Sequence, residues 1–189
     1  MYKHKVKCLI FTGLLFFISL SPLFGLDITQ LRFDVLDIKN GLSQNSVSHI
    51  FQDSKGFIWF CTDEGLNRYD GYNFLKFEKE TEVKNSLISN FTTCITESSP
   101  GIFWIGTEKG LSIYFFETNK YLNIENPGQI KKIIKEDSLT VWVQTQYSLY
   151  KMRLVQAENK DEKYAVSIEP MNAYKEVICK SDNNHFFLS

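Results

Sequence analysis

The feature that most restricts the fold is a repeat marked by the only tryptophans of the chain, Trp59, Trp104 and Trp142. Three residues after each comes a threonine, and six residues after each comes Gly-Leu or Ser-Leu. An acidic residue stands six or seven residues before each. Agreement of these positions in three copies indicates a repeated structural unit, and a repeat decides the fold class before anything else.

The matching positions are the candidate structural residues of the repeat. The acids are expected to accept backbone N–H bonds in turns, because their recurrence in every unit favours this role over a pair of catalytic carboxylates. The glycines supply the unusual dihedrals of turns. The full set is Asp53, Gly56, Trp59, Thr62, Gly65, Leu66, Glu97, Gly101, Trp104, Thr107, Gly110, Leu111, Glu136, Trp142, Thr145 and Leu149.

Each unit is predicted to contain four short strands separated by turns. In the first unit the strands are expected at 47–52, 57–62, 66–69 and 72–77, with Asp70-Gly71 as a hairpin turn. Four antiparallel strands in about 40 to 45 residues are typical of a β-propeller blade. A stack of helices is disfavoured because the chain has no long stripe of apolar residues at a 3.6-residue period.

The predicted fold class is therefore all-β: an incomplete β-propeller that follows a signal peptide and occupies residues 26–189. Its blades are expected at about 42–80, 86–125 and 129–170, with the start of a fourth at 175–189. Three blades and part of a fourth cannot close a ring. We therefore expect the chain to be the N-terminal piece of a longer protein, and the isolated piece to self-associate through its open faces.

Residues 1–25 predict export. Basic residues at positions 3, 5 and 7 precede an apolar run, and Gly25 offers a small residue at the cleavage position. This is the layout of a secretory signal peptide. An uncleaved membrane anchor is the alternative, because the segment from Cys8 to Leu26 is nearly long enough to span a bilayer. Both interpretations place the rest of the chain outside the cytoplasm.

The remaining 164 residues carry 18 of the 21 basic residues against 22 acidic ones, a balance of −4 that argues against contact with nucleic acid. Cys61, Cys94 and Cys179 lie in apolar runs, so buried thiols are expected, with a disulfide as the less favoured alternative. No ligand spacing for a metal and no phosphate-binding glycine loop is present. We therefore expect no cofactor.

Catalytic residues are not predicted. Only His49 and His185 remain after the signal. His49 lies in a repeated strand, where Thr93 and Lys132 are expected to take its place, so a structural position is favoured over a general base. No Ser-His-Asp arrangement is recognisable, and the chain is predicted not to be an enzyme.

Several stretches resemble a known family. Residues 41–47, 52–60 and 62–74 are similar to the first blade of the two-component regulator propeller, and 104–111 repeats its core motif. The resemblance is weaker from 130 to 189. There Ser148 stands at the position of a glycine, Gln144 stands where the second copy has Gly106, and the segment 157–163 is a charged insertion.

This resemblance implies a periplasmic sensor of a Bacteroides-type hybrid two-component system, anchored in the inner membrane in its full-length form. It implies an oligosaccharide ligand, and further propeller, histidine kinase and regulator regions in the same protein. It also implies a homodimer of the full-length form and control of transcription through the kinase part. A related architecture drives a diguanylate cyclase instead. Two other functions stay open: a secreted propeller enzyme acting on polysaccharide, and a structural or partner-binding propeller.

A ligand is expected to bind where loops of several blades converge. The turns at 63–64, 108–109 and 146–147 are expected on one face, with the segments 43–45 and 88–90 at the other end. No individual ligand contact is predicted. Three tyrosines are candidates for stacking on sugar rings, with packing inside the fold as the alternative. They are Tyr69, Tyr72 and Tyr147.

Overall fold

The computed structural model describes most of the chain after its N-terminal region. The described residues are 33–83, 85–125, 127–157 and 163–171, together with the backbone of two strands at 177–180 and 186–188. The predicted signal peptide at 1–25 lies outside them. Contacts divide the chain into the units Met1–Val35 and Leu36–Ser189, and the fold below is that of the second unit.

Three four-stranded antiparallel sheets follow one another, and in each the strands pair in chain order. A two-stranded antiparallel pair comes after them. Blade 1 is β1 (Val47–Gln52), β2 (Ile58–Thr62), β3 (Gly65–Tyr69) and β4 (Phe74–Phe77); blade 2 is β5 (Thr92–Ser99), β6 (Ile102–Thr107), β7 (Gly110–Phe115) and β8 (Lys120–Glu125); blade 3 is β9 (Ile130–Lys135), β10 (Thr140–Thr145), β11 (Leu149–Gln156) and β12 (Tyr164–Met171); the last pair is β13 (Val177–Lys180) and β14 (Phe186–Leu188).

The predicted all-β fold class is confirmed, with three propeller-like blades and no closed sheet among the described residues. One helical turn, Ile38–Asn40, precedes blade 1. The β3–β4 turn is longer than predicted. The carboxylate of Asp70 accepts hydrogen bonds from the backbone N–H groups of Tyr72 and Asn73 at 2.8 and 2.7 Å, so these two residues belong to the turn and not to the fourth strand.

The core lies between the blades. Because side chains alternate along a strand, blade 2 presents apolar residues to both blade 1 and blade 3. At the first interface, Trp59 and Leu66 of blade 1 pack with Phe103 and Tyr114 of blade 2. The second interface, between blades 2 and 3, buries a different set. Its main members are Trp104, Leu111, Ile113, Ile130, Val141, Val143, Met152 and Leu154.

The first strands of the three blades lie side by side. The hydroxyl of Ser48 in β1 donates to the carbonyl oxygen of Thr92 in β5 at 2.9 Å, and the hydroxyl of Thr93 donates to the carbonyl oxygen of Ile130 in β9 at 2.7 Å. Ser48 and Thr93 occupy the same position in successive blades. The same side-chain link therefore joins each first strand to the next.

Candidate ligand-binding site

The three tryptophans of the repeat have different surroundings. Trp59 and Trp104 are fully buried at the first and second interfaces. Trp142 is half-buried on the face of blade 3 that points away from blade 2. There the ammonium of Lys151 lies 5.4 Å from the centre of its ring. Among the described residues, the indole of the repeat is therefore fully buried only where the next four-stranded blade packs against it.

In the first copy, Asp53 holds the turn and the tryptophan together. One carboxylate oxygen accepts from the N–H groups of Lys55 and Phe57, both at 2.9 Å. The other accepts from the indole N–H of Trp59 at 2.8 Å. Asp53 is buried, so both oxygens are committed to the β1–β2 turn and to the indole.

In the second copy, one residue binds the indole and another binds the backbone of the turn. The indole N–H of Trp104 donates to the hydroxyl of Ser98 at 2.9 Å. Glu97 accepts from the N–H of Gly101 at 2.7 Å and, across the first interface, from the N–H and hydroxyl of Ser54 at 2.7 and 3.0 Å. Glu97 thus accepts a backbone N–H of the turn, as the spacing predicts, while Ser98 is the residue that contacts the indole.

The third copy differs again. Glu136 accepts from the ammonium of Lys151 at 2.8 Å, so it forms an ion pair on the sheet. The turn itself is held by Asp137, whose carboxylate accepts from the N–H groups of Leu139 and Thr140 at 2.8 Å. These bonds, Leu139 first, lower the pKa of Asp137. Sequence reasoning missed Asp137 because the repeat was aligned on the residue six places before the tryptophan.

The threonines close the hairpin between the second and third strands in every blade. Each hydroxyl donates to the carbonyl oxygen three residues later, and accepts a backbone N–H from the turn. The donor and acceptor pairs are Thr62 and Gly65 at 2.7 Å, Thr107 and Gly110 at 2.9 Å, and Thr145 and Ser148 at 3.1 Å. The leucines that follow, Leu66, Leu111 and Leu149, are buried.

Glycine is required in two of these hairpins. Gly65 and Gly110 have φ of 104° and 145°. A Cβ at Gly65 would lie 2.8 Å from the carbonyl oxygen of Phe77, and one at Gly110 would lie 2.3 Å from that of Ile124. In blade 3 Ser148 takes the place without a positive φ, and the strand begins at Leu149. The third hairpin therefore has a different backbone path.

The segments that enter the blades lie at the same end as these hairpins, and the expectation of opposite ends was wrong. The hydroxyls of Ser43 and Thr62 are 2.8 Å apart, and the N–H of Gly65 donates to the carbonyl oxygen of Asn90 at 2.7 Å. The reason is antiparallel pairing: a first strand begins where the second strand ends. We call this end, with the three hairpins and the segments 43–45 and 88–90, the hairpin end.

The hairpin end displays polar side chains of both charges. Glu64, Lys109 and Gln146 are exposed, and Glu108 accepts from the hydroxyl of Ser89 at 3.0 Å. Tyr147 is 69% exposed at the third hairpin. Hydrogen-bonding groups and an exposed aromatic ring at one end of the blades suit a hydroxyl-rich ligand whose ring stacks on the tyrosine.

The three candidate tyrosines are not brought together. Tyr147 lies at the hairpin end, whereas Tyr69 and Tyr72 flank the β3–β4 turn at the opposite end. The hydroxyl of Tyr69 donates to the carbonyl oxygen of Gly71 at 2.8 Å, and its ring packs 4.7 Å from that of Phe74. Tyr69 is therefore engaged in the fold, while Tyr72 is 88% exposed.

His49 is a half-buried residue of β1. Burial lowers its pKa, and a hydrogen bond with the backbone of Ile95 acts in the opposite direction. Strand pairing aligns His49 with Cys94 and Lys132, so the expected equivalence with Thr93 was shifted by one residue. His185 lies outside the described residues.

Cys61 and Cys94 are buried free thiols. Burial raises the pKa of both, that of Cys94 to about 11, so neither is a thiolate at neutral pH. The side chain of Cys179 lies outside the description. Within the described ranges no group of histidine, cysteine or carboxylate side chains is arranged to hold a metal ion.

The family model of the two component regulator propeller matches residues 41–64 and 86–109. These two segments are similar to two component regulator propeller repeats. Each contains the entering segment at the hairpin end, the first two strands, and the hairpin that returns to that end. The matched unit of sequence thus includes both loops that line the candidate site. The comparison with curated proteins found no significant match.

The solved structures similar to the chain include two extracellular domains. One is the extracellular domain of the hybrid two component system BT3049 from B. thetaiotaomicron, at 29% identity and a TM-score of 0.57 over 64% of this chain. The other is the extracellular domain of BT4673 from the same organism, at 22% identity and a TM-score of 0.52 over 72%, which supports the fold alone. The matches cover 18% and 17% of those chains. The described residues include no helix long and apolar enough to cross a bilayer.

Proposed function

We propose that this chain is part of the ligand-sensing propeller of an exported two-component signalling protein, and that the hairpin end binds the ligand. The observation that carries the proposal is that both matched repeats contain an entering segment and a hairpin that lie together at the hairpin end. Two repeats that each place two loops at one end form a surface that a diffusible ligand can bridge.

The proposed ligand class is a glycan fragment. Support comes from the exposed ring of Tyr147 and from the polar residues of the hairpin end, with Gln146 in the same hairpin and Glu108 and Lys109 in the hairpin of blade 2. Amide, carboxylate and ammonium groups match the hydroxyls of a sugar, and an aromatic face covers its C–H groups. The extracellular domain of a hybrid two component system among the similar structures supports the signalling role.

In the proposed whole protein, this segment lies outside the cytoplasmic membrane, and ligand binding biases a kinase part in the same protein. Such coupling requires that the ligand bind two arrangements of the propeller with different affinity. The segment itself supplies binding and no catalysis. Asp53, Glu97 and Glu136 support this view, because each carboxylate accepts hydrogen bonds within the fold.

The test is a titration of the chain with xylo-, arabino- and galacto-oligosaccharides, followed by calorimetry and by a change in intrinsic fluorescence. Binding is expected for at least one of them and is expected to weaken about tenfold in Tyr147→Ala, since a stacked aromatic ring contributes roughly that factor. Tyr72→Ala removes an even more exposed ring at the opposite end and should leave affinity unchanged. Binding that is insensitive to Tyr147→Ala, or absent for all three probes, would contradict the proposal.

A further inference from the structure

A pair of cations lies at the first interface, at the end of the blades opposite the hairpin end. Arg68 on β3 has its guanidinium carbon 4.5 Å from the ring centre of Phe57 and 5.4 Å from that of Phe116 in blade 2. The ammonium of Lys55, in the β1–β2 turn, lies 4.1 Å from the centre of the same Phe116 ring. One phenylalanine therefore brings two positive charges from different parts of blade 1 together.

Neither cation is neutralised by a direct contact. In the part of the chain that the structure describes, the Arg68 guanidinium and the Lys55 ammonium form no ion pair and no hydrogen bond. The Nε atom of Arg68 is buried without a hydrogen-bond partner. A buried N–H group is normally paired, and leaving one unpaired costs free energy.

The acids nearby are engaged elsewhere. Glu97 accepts three hydrogen bonds, from the N–H and hydroxyl of Ser54 and from the N–H of Gly101. Asp70 accepts from Asn73 and Tyr72, and these bonds lower its pKa, with a smaller contribution from the charge of Arg68. Both carboxylates thus weaken the local positive field without bonding to the cations.

We propose that Lys55 and Arg68 bind an oxyanion, a carboxylate or sulfate, beside Phe116. The planar guanidinium presents parallel N–H donors to two oxygens of such a group, and the lysine adds a mobile point charge. Phe57 and Phe116 hold the guanidinium in place and displace water from its faces. This site is separate from the hairpin end, so it stands whether or not the proposed glycan site is correct.

The test uses the intact chain and the NMR signal of the Arg68 Nε–H group. The probes are sodium sulfate, sodium galacturonate and neutral galactose, at an ionic strength held constant with sodium chloride. A saturable shift is expected with at least one anion and not with galactose. Tighter binding of galacturonate than of sulfate identifies an acidic saccharide as the preferred ligand, and tighter binding of sulfate identifies a free inorganic anion.

Three variants make the result decisive. Lys55→Gln changes an exposed side chain, should fold normally as judged by its melting temperature, and should weaken anion binding about tenfold. Arg153→Gln removes an exposed arginine from β11 in blade 3 and should have no effect. Tyr147→Ala, at the hairpin end, should also have none. A linear, non-saturable shift, or equal affinity in Lys55→Gln, overturns the site.

Discussion

The two blade interfaces bury the same repeated positions with different chemistry. The first is aromatic and is fastened by polar contacts, with Trp59 against Phe103 at 4.7 Å and Glu97 bonded to Ser54. The second is mostly aliphatic and depends on close approach, since Gly106 of blade 2 lies directly against Ile130 of blade 3. The repeat therefore fixes which positions are buried between blades. The residue types at and around those positions decide which contacts hold each interface together.

The largest expected effect concerns the tryptophans. Trp104→Ala should lower the free energy of unfolding by about 3–5 kcal/mol, because it empties a fully buried site at the second interface. Trp142→Ala should cost only about 1–2 kcal/mol, because that ring is half-buried. Urea unfolding followed by circular dichroism measures both. Equal losses would mean that Trp142 is covered as completely as Trp104.

Gly106→Ala tests the close approach at the second interface. The new Cβ would lie 2.6 Å from the sulfur of Cys94 and 2.8 Å from a methyl carbon of Ile130, so a loss of about 1–3 kcal/mol is expected. Adding Cys94→Ala removes the nearest atom and should recover part of the loss in the same unfolding experiment. If Gly106→Ala is as stable as the parent, the second interface can shift to admit a methyl group, and the close approach does not contribute to stability.

Glu97→Ala tests the polar fastening of the first interface. It removes three hydrogen bonds to a charged acceptor, and about 1–3 kcal/mol should be lost. The matched control is Lys135→Ala, because Lys135 holds the same strand position in blade 3 and is exposed. Its effect should stay below about 0.5 kcal/mol. If the two variants unfold alike, the contact with Ser54 does not stabilise the interface.

The smallest expected effect is that of a hairpin threonine, because every blade has the same threonine hydrogen bond and it does not distinguish the two interfaces. Thr107→Val keeps the shape but removes the bond to the carbonyl oxygen of Gly110, with a loss of about 1 kcal/mol. Thr118→Val, on an exposed turn residue, serves as the reference. Thermal melting of the two variants should differ by a few degrees. An unchanged melting temperature in Thr107→Val would assign the hairpin geometry to glycine alone.

Much of the fold could be predicted from local patterns. The spacing of tryptophan, threonine and Gly-Leu gave the number of blades and the order of their strands, because these positions depend on alternation and turns within one unit. The predicted strand Val47–Gln52 has the same bounds in the structure. The charged insertion at 157–163 falls largely outside the described residues, so its structure stays a prediction.

What spacing could not predict is the choice of partner. Ser98 rather than Glu97 contacts Trp104, since a glutamate at the neighbouring position reaches Ser54 across the interface. The grouping of Arg68 with Phe116 likewise joins residues of two blades. The position of the segments 43–45 and 88–90 does follow from the sequence, because in an antiparallel pair the first strand begins beside the last residue of the second. Val47 pairs with Thr62, so the segment before Val47 lies at the hairpin end.

The placement of each indole has a consequence for how the protein is made. Trp59 is covered by Phe103 and packs in one cluster with Tyr114, both of which are synthesised well after blade 1 is complete. During translation a finished blade therefore keeps an uncovered apolar face until most of its successor has left the ribosome. The growing chain can aggregate through this face at each such step. Rapid synthesis, or a chaperone that binds the face, would protect it until the next blade has folded.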